Sequence, residues 1–272
     1  MSKRKLLLVT QELDPYTALT EIAQIANQLP LSMASQAEIR ILMPRFGVVN
    51  ERRHRLHEVV RLSGMNIIVN DEDFPLLIKV ASLPGSRIQV YFLDNEEFFK
   101  RRAVFEDEEG KPFDDNLERS VFFCKSVVEI VKKFGWAPDI IHCQGWMTGL
   151  LPLYLRAAYR TEPLFAQTKI VYSLYDTLHQ TFTQSDFALK ASINNLTADD
   201  LTPYYAADSD LVDIHKGAAF FADGIVKGSE TNSQTVMDLL EQTDKPVLEN
   251  ANVKEGGYPP FYTMLETAEV VS

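Results

Sequence analysis

The sequence has few cysteines and no long apolar run, and these two features argue against a disulfide-rich protein and against a membrane-spanning one. Cys124 and Cys143 are the only thiols among 272 residues, so a disulfide scaffold is excluded, and no Cys-x-x-Cys spacing is present for zinc. Two such cysteines are typical of buried thiols in a reducing compartment. No apolar stretch approaches a bilayer span, and Leu6–Val9 is too short for the core of a signal peptide. We therefore expect a soluble, cytoplasmic protein with no membrane partner.

Basic residues are also scarce relative to acidic ones. Lys and Arg total 27 and Asp and Glu total 38, which gives a net charge of −11. This field repels the phosphates of nucleic acids and anionic lipids, so neither is an expected partner. The GxGxxG, Walker, GxSxG and HExxH patterns do not occur. No cofactor or metal site is predicted, whereas a neutral sugar chain or another protein is compatible with this composition.

Short apolar runs alternate with amphipathic stretches along most of the chain. Strands are predicted over Lys5–Thr10, Glu38–Met43, Asn66–Asn70, Leu76–Ala81, Arg87–Leu93, Asp139–Cys143, Lys169–Tyr175 and Gly224–Lys227. Helices are predicted over Thr17–Leu29 with an end at Pro30, Leu117–Val131 with a stop at Gly135, Trp146–Tyr159, Leu211–Phe221 and Thr235–Gln242. This alternation predicts an α/β fold with a doubly wound, mostly parallel, Rossmann-like sheet in residues 1–243. Residues 244–272, with Gly-Gly and Pro-Pro pairs, are predicted to form a loosely packed C-terminal tail.

Several stretches in a fixed order resemble one enzyme family. They are VYFLD at Val90–Asp94, FDDN at Phe113–Asn116 with Glu118 and Arg119, GWAPDIIH at Gly135–His142, GWMTGLLP at Gly145–Pro152, Lys169–Phe182, and KGAAFFAD at Lys216–Asp223. Together they resemble the N-terminal domain of bacterial glycogen synthases and plant starch synthases. These are retaining glycosyltransferases of family five with the two-domain GT-B architecture.

The resemblance implies a single N-terminal half of a GT-B glycosyltransferase. The family transfers glucose from ADP-glucose, sometimes UDP-glucose, to the non-reducing end of an α-1,4-glucan. Its N-terminal domain holds the acceptor and part of the donor site, and its second domain holds most of the nucleotide. The resemblance thus implies an α-1,4-glucan as one candidate partner. A separately encoded nucleotide-binding domain, or another protein, is the other.

The loop after the first strand departs from the family pattern. The family has a lysine that supports the donor phosphates and two glycines whose backbone approaches them. Alignment on Glu12 and Pro15 without gaps places Ala18 at the lysine and Thr20 and Glu21 at the glycines. A cation is replaced and a carboxylate is added. One like-charge pair about 5 Å apart at a dielectric near 20 costs roughly 3 kcal/mol, about a hundredfold in binding.

Two later loops depart as well. Where the family has His-Ala-His-Asp-Trp, this chain has His142, Cys143, Gln144, Gly145 and Trp146 in order. Gln144 can hydrogen-bond a hydroxyl but cannot transfer a proton, and Gly145 has no side chain for either role. Tyr175 stands where the family has a histidine that contacts the donor glucose, and a phenol with a pKa near 10 is a poor replacement. The candidate sugar or phosphate contacts are His142, Gln144, Trp146, Tyr175 and Asp176, and no catalytic residue is assigned.

Three of the polar and aromatic residues have alternative structural roles. His142 is either a retained sugar or phosphate contact or a hydrogen-bonded histidine at a strand end. Trp146 is either a sugar-stacking platform or, the favoured reading, an inward-packed aromatic at a helix start. Asp115, with Asp114, is expected to cap the helix that follows.

Three functions are compatible with these residues. The first is a synthase-like subunit that holds the glucan side of a cleft completed by another chain. The second is a non-catalytic scaffold that binds glucan or protein and has lost the donor chemistry. The third is an enzyme of different chemistry that uses His142, Tyr175 and Asp176, which requires these three groups to converge in one pocket.

Overall fold

The computed structural model describes residues 3–176, 182–193, 196–207, 211–229, 233–249 and 256–268. The first half contains β1 (Arg4–Thr10), α1 (Glu21–Met33), β2 (Ala37–Pro44), α2 (Glu51–His54), β3 (His57–Glu58), β4 (Met65–Val69), β5 (Glu72–Ser82), β6 (Gln89–Asp94), α3 (Glu96–Phe99) and α4 (Asn116–Phe134). The second half contains β7 (Ile140–Gln144), α5 (Leu151–Leu153), β8 (Lys169–Leu174), β9 (Phe182–Thr183), α6 (Gln184–Ala191), α7 (Ala198–Tyr205), β10 (Leu211–Val212), α8 (Ile214–Phe221), β11 (Gly224–Lys227), α9 (Gln234–Gln242), β12 (Val247–Leu248) and α10 (Tyr258–Thr267).

The strands form a mostly parallel sheet, which confirms the predicted fold class. Its order is β12-β11-β8-β7-β1-β2-β6-β5-β3, and β4 pairs with β5. Every neighbouring pair from β12 to β6 is parallel, whereas β5 runs antiparallel to β6 and closes one edge. The central strands are mostly buried, since the last five residues of β1 and all five of β7 are inaccessible, as expected for a sheet with helices on both faces. The parallel strands of four or more residues all end at the same edge of the sheet, and these are β11, β8, β7, β1, β2 and β6.

Helix α4 forms as its sequence predicts. Its apolar residues recur at helical spacing, and it is buried along most of its 19 residues. Gly135 ends the helix at φ 58° in the left-handed region, where glycine has no steric penalty. After this turn the chain reverses direction, and the next strand, β7, begins at Ile140.

Helix α1 differs from its prediction at both ends. It begins at Glu21, so Ala18 and Leu19 lie outside it and are exposed. Thr20 sets this start because its hydroxyl accepts a hydrogen bond from the backbone N–H of Ala23. The helix continues through Pro30, which is buried in its last turns. Burial offsets the hydrogen bond that proline removes, so the predicted end at Pro30 is wrong.

The helix predicted from Trp146 to Tyr159 is not continuous. A 3-10 turn spans Trp146–Thr148, α5 follows, and Tyr154–Ala158 is a π-turn. Pro152 in the first turn of α5 cannot donate to the preceding turn, which favours this break. The helix predicted over Leu211–Phe221 likewise begins only at Ile214, after the short strand β10.

The described C-terminal residues are packed, so the prediction of a loosely packed tail is wrong for them. β12 pairs with β11 at the edge of the sheet. In α10 the buried residues are Tyr258, Phe261, Tyr262 and Leu265, which recur at the spacing of one helical face. Arg4 on β1 forms a salt bridge of 2.7 Å with Glu266 at the other side of this helix. In the described ranges no helix is both long and apolar enough to cross a membrane.

Candidate functional site

The candidate site lies where the chain changes direction across the sheet. From β1 the chain moves outward to β2 and β6, and it then returns to β7 and moves to β8 and β11 on the other side. The loops after β1 and β7 therefore diverge, and crevices at such switch points bind ligands in open α/β sheets. Thr10 pairs with Gln144 in the parallel register, so Gln11 and Gly145 begin two adjacent loops.

The side chain of Gln11 fills this crevice. Its Oε1 accepts a hydrogen bond of 3.2 Å from the backbone N–H of Met147, and its Nε2 donates to Glu12 Oε2 at 3.3 Å. Gly145 has φ 86° and ψ 159°, a conformation that is essentially restricted to glycine. A Cβ at this position would lie 2.3 Å from both Cδ and Oε1 of Gln11. The Gln11 carboxamide thus occupies the place where a side chain of residue 145 would begin.

Glu12 is buried and belongs to the same hydrogen-bonded cluster as Gln11. Only 7% of it is exposed, and burial raises the pKa of its carboxyl, while hydrogen bonds from Gln11 and Thr20 act in the opposite direction. Its backbone carbonyl accepts a hydrogen bond of 2.7 Å from the Thr10 hydroxyl. Glu12 therefore ties the loop after β1 to the start of α1 and presents almost no surface to a ligand.

His142 is engaged on both ring nitrogens. Nδ1 lies 2.6 Å from the hydroxyl of Tyr262, and Nε2 lies 2.7 Å from the hydroxyl of Ser173. The residue is fully buried, and burial lowers the pKa of its imidazole to about 3. His142 is thus a neutral link between β7, β8 and α10. Its side chain presents no surface to a ligand in this structure, and both of its ring nitrogens have partners within the protein.

Gln144 remains open as a ligand contact. It is fully buried at the carboxyl end of β7. Neither its amide nitrogen nor its amide oxygen has a hydrogen-bond partner among the described residues. A buried amide without a partner is unfavourable, and a bound polar molecule or water would satisfy it. Of the five candidate contacts, Gln144 and Tyr175 are the two with a buried side-chain polar atom that has no partner in the described ranges, and Gln144 has two such atoms.

Trp146 and Tyr175 are interior residues, whereas Asp176 is exposed. The Trp146 ring packs against Phe105 and Phe182, with centroid distances of 5.2 and 6.1 Å. Burial raises the pKa of the Tyr175 hydroxyl well above 10, and the nearby Tyr258 and Glu21 add to this increase. His142 and Tyr175 are buried whereas Asp176 is exposed, so among the described residues these three groups do not line one accessible pocket, as a different chemistry would require.

The loop that aligns with the donor-phosphate loop presents a carboxylate instead of a cation. Ala18 is exposed, Thr20 is the N-cap of α1, and Glu21 is exposed in its first turn. A helix N-terminus attracts anions through its free N–H groups and its dipole. Here the Thr20 hydroxyl takes one of those groups and Glu21 supplies the negative charge. These three positions thus form a helix start that is capped by Thr20 and carries an exposed carboxylate.

No nearby cation replaces the aligned lysine in the adjoining groove. This groove, of about 470 Å³, lies between α1 and α10 and is lined by Glu21, Gln24, Ile25, Gln28, Leu29, Ser32, Gly256 and Tyr258. Its described lining contains neither lysine nor arginine. Over the same described ranges, no group of three His, Cys, Asp or Glu side chains is arranged to hold a metal ion.

Comparison with known proteins identifies the family. The profile of the starch synthase catalytic domain, Glyco_transf_5, matches residues 5–245. The chain belongs to this starch synthase family. It is 33% identical to the glycogen synthase of Chlorobium limicola over 92% of this chain and 53% of that protein. It is 39% identical to the glycogen synthase of Chlorobium chlorochromatii over 70% of this chain and 39% of that protein.

The fold of this starch synthase family member agrees with a solved relative. The catalytic domain of starch synthase IV from Arabidopsis thaliana, bound to ADP and acarbose, superposes with a TM-score of 0.70 at 17% identity. The match covers 97% of this chain and 50% of that one. The chain therefore spans about half the length, or less, of the relatives it matches, and it corresponds to a glycogen or starch synthase-like catalytic half-domain.

The sequence interpretation missed the role of Gln11. It identified Gly145 as a position without a side chain but not the residue that fills the vacated space. The signal present in the sequence was a long polar residue directly after β1 and a glycine directly after β7. Because these two positions are far apart in sequence, the signal becomes readable only when β1 and β7 are known to be neighbours.

Proposed function

We propose that this chain is a starch synthase-family half-domain that binds an α-1,4-glucan and does not itself transfer glucose from ADP-glucose. One observation carries the proposal: the crevice at the switch point between β1 and β7 is filled by the chain's own Gln11 side chain. A sugar or phosphate entering there would have to displace a carboxamide that already has two hydrogen bonds.

The chemistry of the surrounding loops supports the loss of donor binding. Glu21 brings a carboxylate to the N-terminus of α1, and Ala18 provides no cation. Gln144 and Gly145 offer no proton donor or acceptor of the carboxylate or imidazole type. A donor pyrophosphate therefore meets a negative charge and a filled crevice, so ADP-glucose and UDP-glucose are both disfavoured.

Glucan binding is supported by the resemblance and by the charge of the chain. The family's N-terminal domain is the half that holds the acceptor, and the Arabidopsis relative was solved with the oligosaccharide acarbose. An α-glucan is neutral, so the net charge of −11 does not oppose it. The proposed ligand is an α-glucan alone, and the proposal includes no nucleic acid, membrane or metal ion.

The alternative is a working transferase that a separately encoded nucleotide-binding chain completes. This alternative also uses the crevice between β1 and β7, and it requires Gln11 to leave it. The proposed scaffold leaves Gln11 in place.

Isothermal titration calorimetry with ADP-glucose and with glycogen-derived maltohexaose tests the proposal. We expect maltohexaose to bind and ADP-glucose to show no heat up to millimolar concentration. We also expect no incorporation of labelled glucose into glycogen by the purified chain. Micromolar affinity for ADP-glucose would contradict the loss of donor binding, and absence of any glucan binding would contradict the scaffold role.

A further inference from the structure

A surface beside α2 is rich in arginine, although the chain as a whole is acidic. Arg52, Arg53 and Arg55 lie in this helix or directly after it, and all three are exposed. We call these three residues the arginine surface. Within the described ranges none of them forms an ion pair, so their positive charge is available to an acidic partner.

Helix α2 fixes the position of the arginine surface. Asn50 caps its start, because the Asn50 side chain accepts a hydrogen bond of 2.9 Å from the backbone N–H of Arg53. Glu51 Oε1 lies 2.7 Å from Lys79 Nζ, so β5 holds the carboxylate of this helix. The acidic residue is thereby engaged within the fold, and the arginines stay exposed. A surface that is already ordered loses less conformational entropy when a partner binds.

An acidic turn lies in the segment between α3 and α4. Four consecutive acidic residues are exposed there, Glu106, Asp107, Glu108 and Glu109. The Asp107 carboxylate accepts hydrogen bonds of 3.0 and 2.9 Å from the backbone N–H groups of Glu109 and Lys111, which closes the turn. We call Glu106, Glu108 and Glu109 the acidic turn. Their carboxylates have no ion-pair partner in the part of the chain that the structure describes.

Two cations that flank the acidic turn in sequence are engaged by other carboxylates. Nη2 of Arg101 donates to Oδ2 of Asp115. Asp115 was expected to cap α4, but its side chain makes no capping hydrogen bond and pairs with Arg101 instead. Lys111 Nζ lies 3.6 Å from a carboxylate oxygen of Asp114 and forms an ion pair with it. Neither cation therefore neutralises the acidic turn.

The arginine surface and the acidic turn lie next to each other at one edge of the sheet. They follow β2 and β6, which are parallel neighbours with Pro44 opposite Leu93. The ring centroids of Phe46 and Phe105 are 5.7 Å apart, and Phe105 directly precedes Glu106. One aromatic contact thus supports both segments. The two charged surfaces are presented side by side, and no ion pair joins them among the described residues.

Two complementary surfaces that lie side by side suit a dimer with two-fold symmetry. A half-turn about an axis between them places the acidic turn of each copy opposite the arginine surface of the other, so the contact closes on itself. A single exposed ion pair contributes little, but this arrangement brings three arginines to three glutamates twice. Both copies carry a net charge of −11, and their long-range repulsion is screened beyond about 8 Å at physiological salt.

We propose that this chain forms a two-fold dimer in which the acidic turn of each copy binds the arginine surface of the other. Arginine is enriched at protein–protein interfaces, and its planar group can pair with both oxygens of a carboxylate. Val48 and Val60, which are 38% and 78% exposed, flank the arginine surface in sequence and add apolar area to the contact. The dimer does not depend on glucan binding, so the failure of either proposal leaves the other intact.

Sedimentation velocity on the full chain tests the dimer. We expect the parent chain to form dimers in the micromolar range, with a dissociation constant at least about tenfold higher in about 1 M than in about 0.15 M NaCl. Arg52→Glu with Arg53→Glu should be monomeric, and Glu108→Arg with Glu109→Arg should be monomeric as well. An equimolar mixture of these two variants should form dimers again, because each reversed surface then meets an opposite charge.

The matched control is Arg87→Glu with Arg160→Glu. Both residues are exposed arginines outside the two surfaces, and reversing them changes the net charge by the same amount as reversing Arg52 and Arg53. We expect this control to dimerise as the parent chain does. If the reversed arginine surface lowers the melting temperature, Arg52→Gln with Arg53→Gln takes its place and should weaken the dimer to a smaller extent.

The outcomes decide the proposal directly. Loss of the dimer in each charge-reversed variant and its recovery in the mixture, with melting temperatures retained, supports the interface. A monomeric parent chain overturns it, as does a dimer that either charge reversal leaves unchanged or a mixture that stays monomeric. Assembly of the parent chain beyond dimers would contradict the two-fold arrangement, because a contact that does not close adds further copies.

Discussion

His142 and Tyr262 are joined by a hydrogen bond of 2.6 Å between Nδ1 and Oη, although they are 120 residues apart in the chain. The bond fastens α10 onto β7, and it is fully buried. We predict that Tyr262→Phe lowers the free energy of unfolding by about 1–3 kcal/mol, because it leaves a buried imidazole nitrogen without a partner. Urea denaturation measures this change. Tyr204→Phe is the control, since Tyr204 is half-exposed, and a shift of equal size there would contradict the explanation.

The same histidine, His142, predicts how the free energy of unfolding depends on pH. Its pKa is about 3 in the folded chain because it is buried, whereas the unperturbed value is 6.5. The unfolded chain therefore binds this proton at a higher pH than the folded chain does. The contribution of His142 to the free energy of unfolding is fully present above about pH 6.5 and is lost as the pH falls toward 3. Between pH 7 and pH 5 this group removes about 2 kcal/mol from the free energy of unfolding. The groups that contact its ring, Tyr258, Tyr262 and Ser173, stay neutral in this range.

The measurement is the difference in pH dependence between the parent chain and His142→Gln. Burial also lowers the pKa of His215, so the parent chain alone does not isolate one histidine. We expect the variant to lose less stability than the parent between pH 7 and pH 5. Parallel curves for the two proteins would show that His142 is not the group responsible.

Helix α10 should contribute strongly to stability through its buried face. Leu265 is 3% exposed, and its neighbour Met264 is 43% exposed. Leu265→Ala is expected to lower the free energy of unfolding by about 2–5 kcal/mol, because it leaves a cavity against Gly224 on β11. Met264→Ala is the matched control in the same helix and should change it by less than about 0.5 kcal/mol. Equal effects in the two variants would mean that the helix is not docked on the sheet.

A double-mutant cycle tests the filled crevice. Gly145→Ala should be severely destabilised, because the backbone at φ 86° is unfavourable for alanine and the new Cβ meets Gln11. Gln11→Gly in the same chain should relieve the contact but not the backbone strain. We therefore expect a coupling free energy of about 1–3 kcal/mol from denaturation curves. Additive effects would place the Gln11 side chain elsewhere.

The longer strands of the sheet and helix α4 were predicted correctly because the sequence pattern for each lies within one continuous segment. The apolar period of α4 and Gly135 at its end both lie within one segment. Helix α10 was missed because its Gly-Gly and Pro-Pro pairs indicate a loop, although proline is accommodated in a first helical turn. The apolar spacing from Tyr258 to Leu265 was present in the sequence and was the better guide.

The candidate site was less predictable because it depends on contacts between distant segments. The family resemblance indicated which positions in the loops had changed, and Ala18, Thr20 and Glu21 lie together as aligned. It could not show that His142 is sealed by Tyr262, since that contact needs α10 on the sheet. Nor could it show that Asp115 faces Arg101 instead of its own helix.

The contact between Gln11 and Gly145 implies an evolutionary constraint. A long side chain after β1 and any side chain after β7 cannot share this space, so residue 145 can gain a side chain only if residue 11 becomes small. Related half-domains that carry an acidic residue after β7 should therefore have a small residue after β1, and the two positions should vary as a pair. Substitution at residue 145 thus depends on the state of residue 11, so the order in which the two positions change decides which intermediates fold.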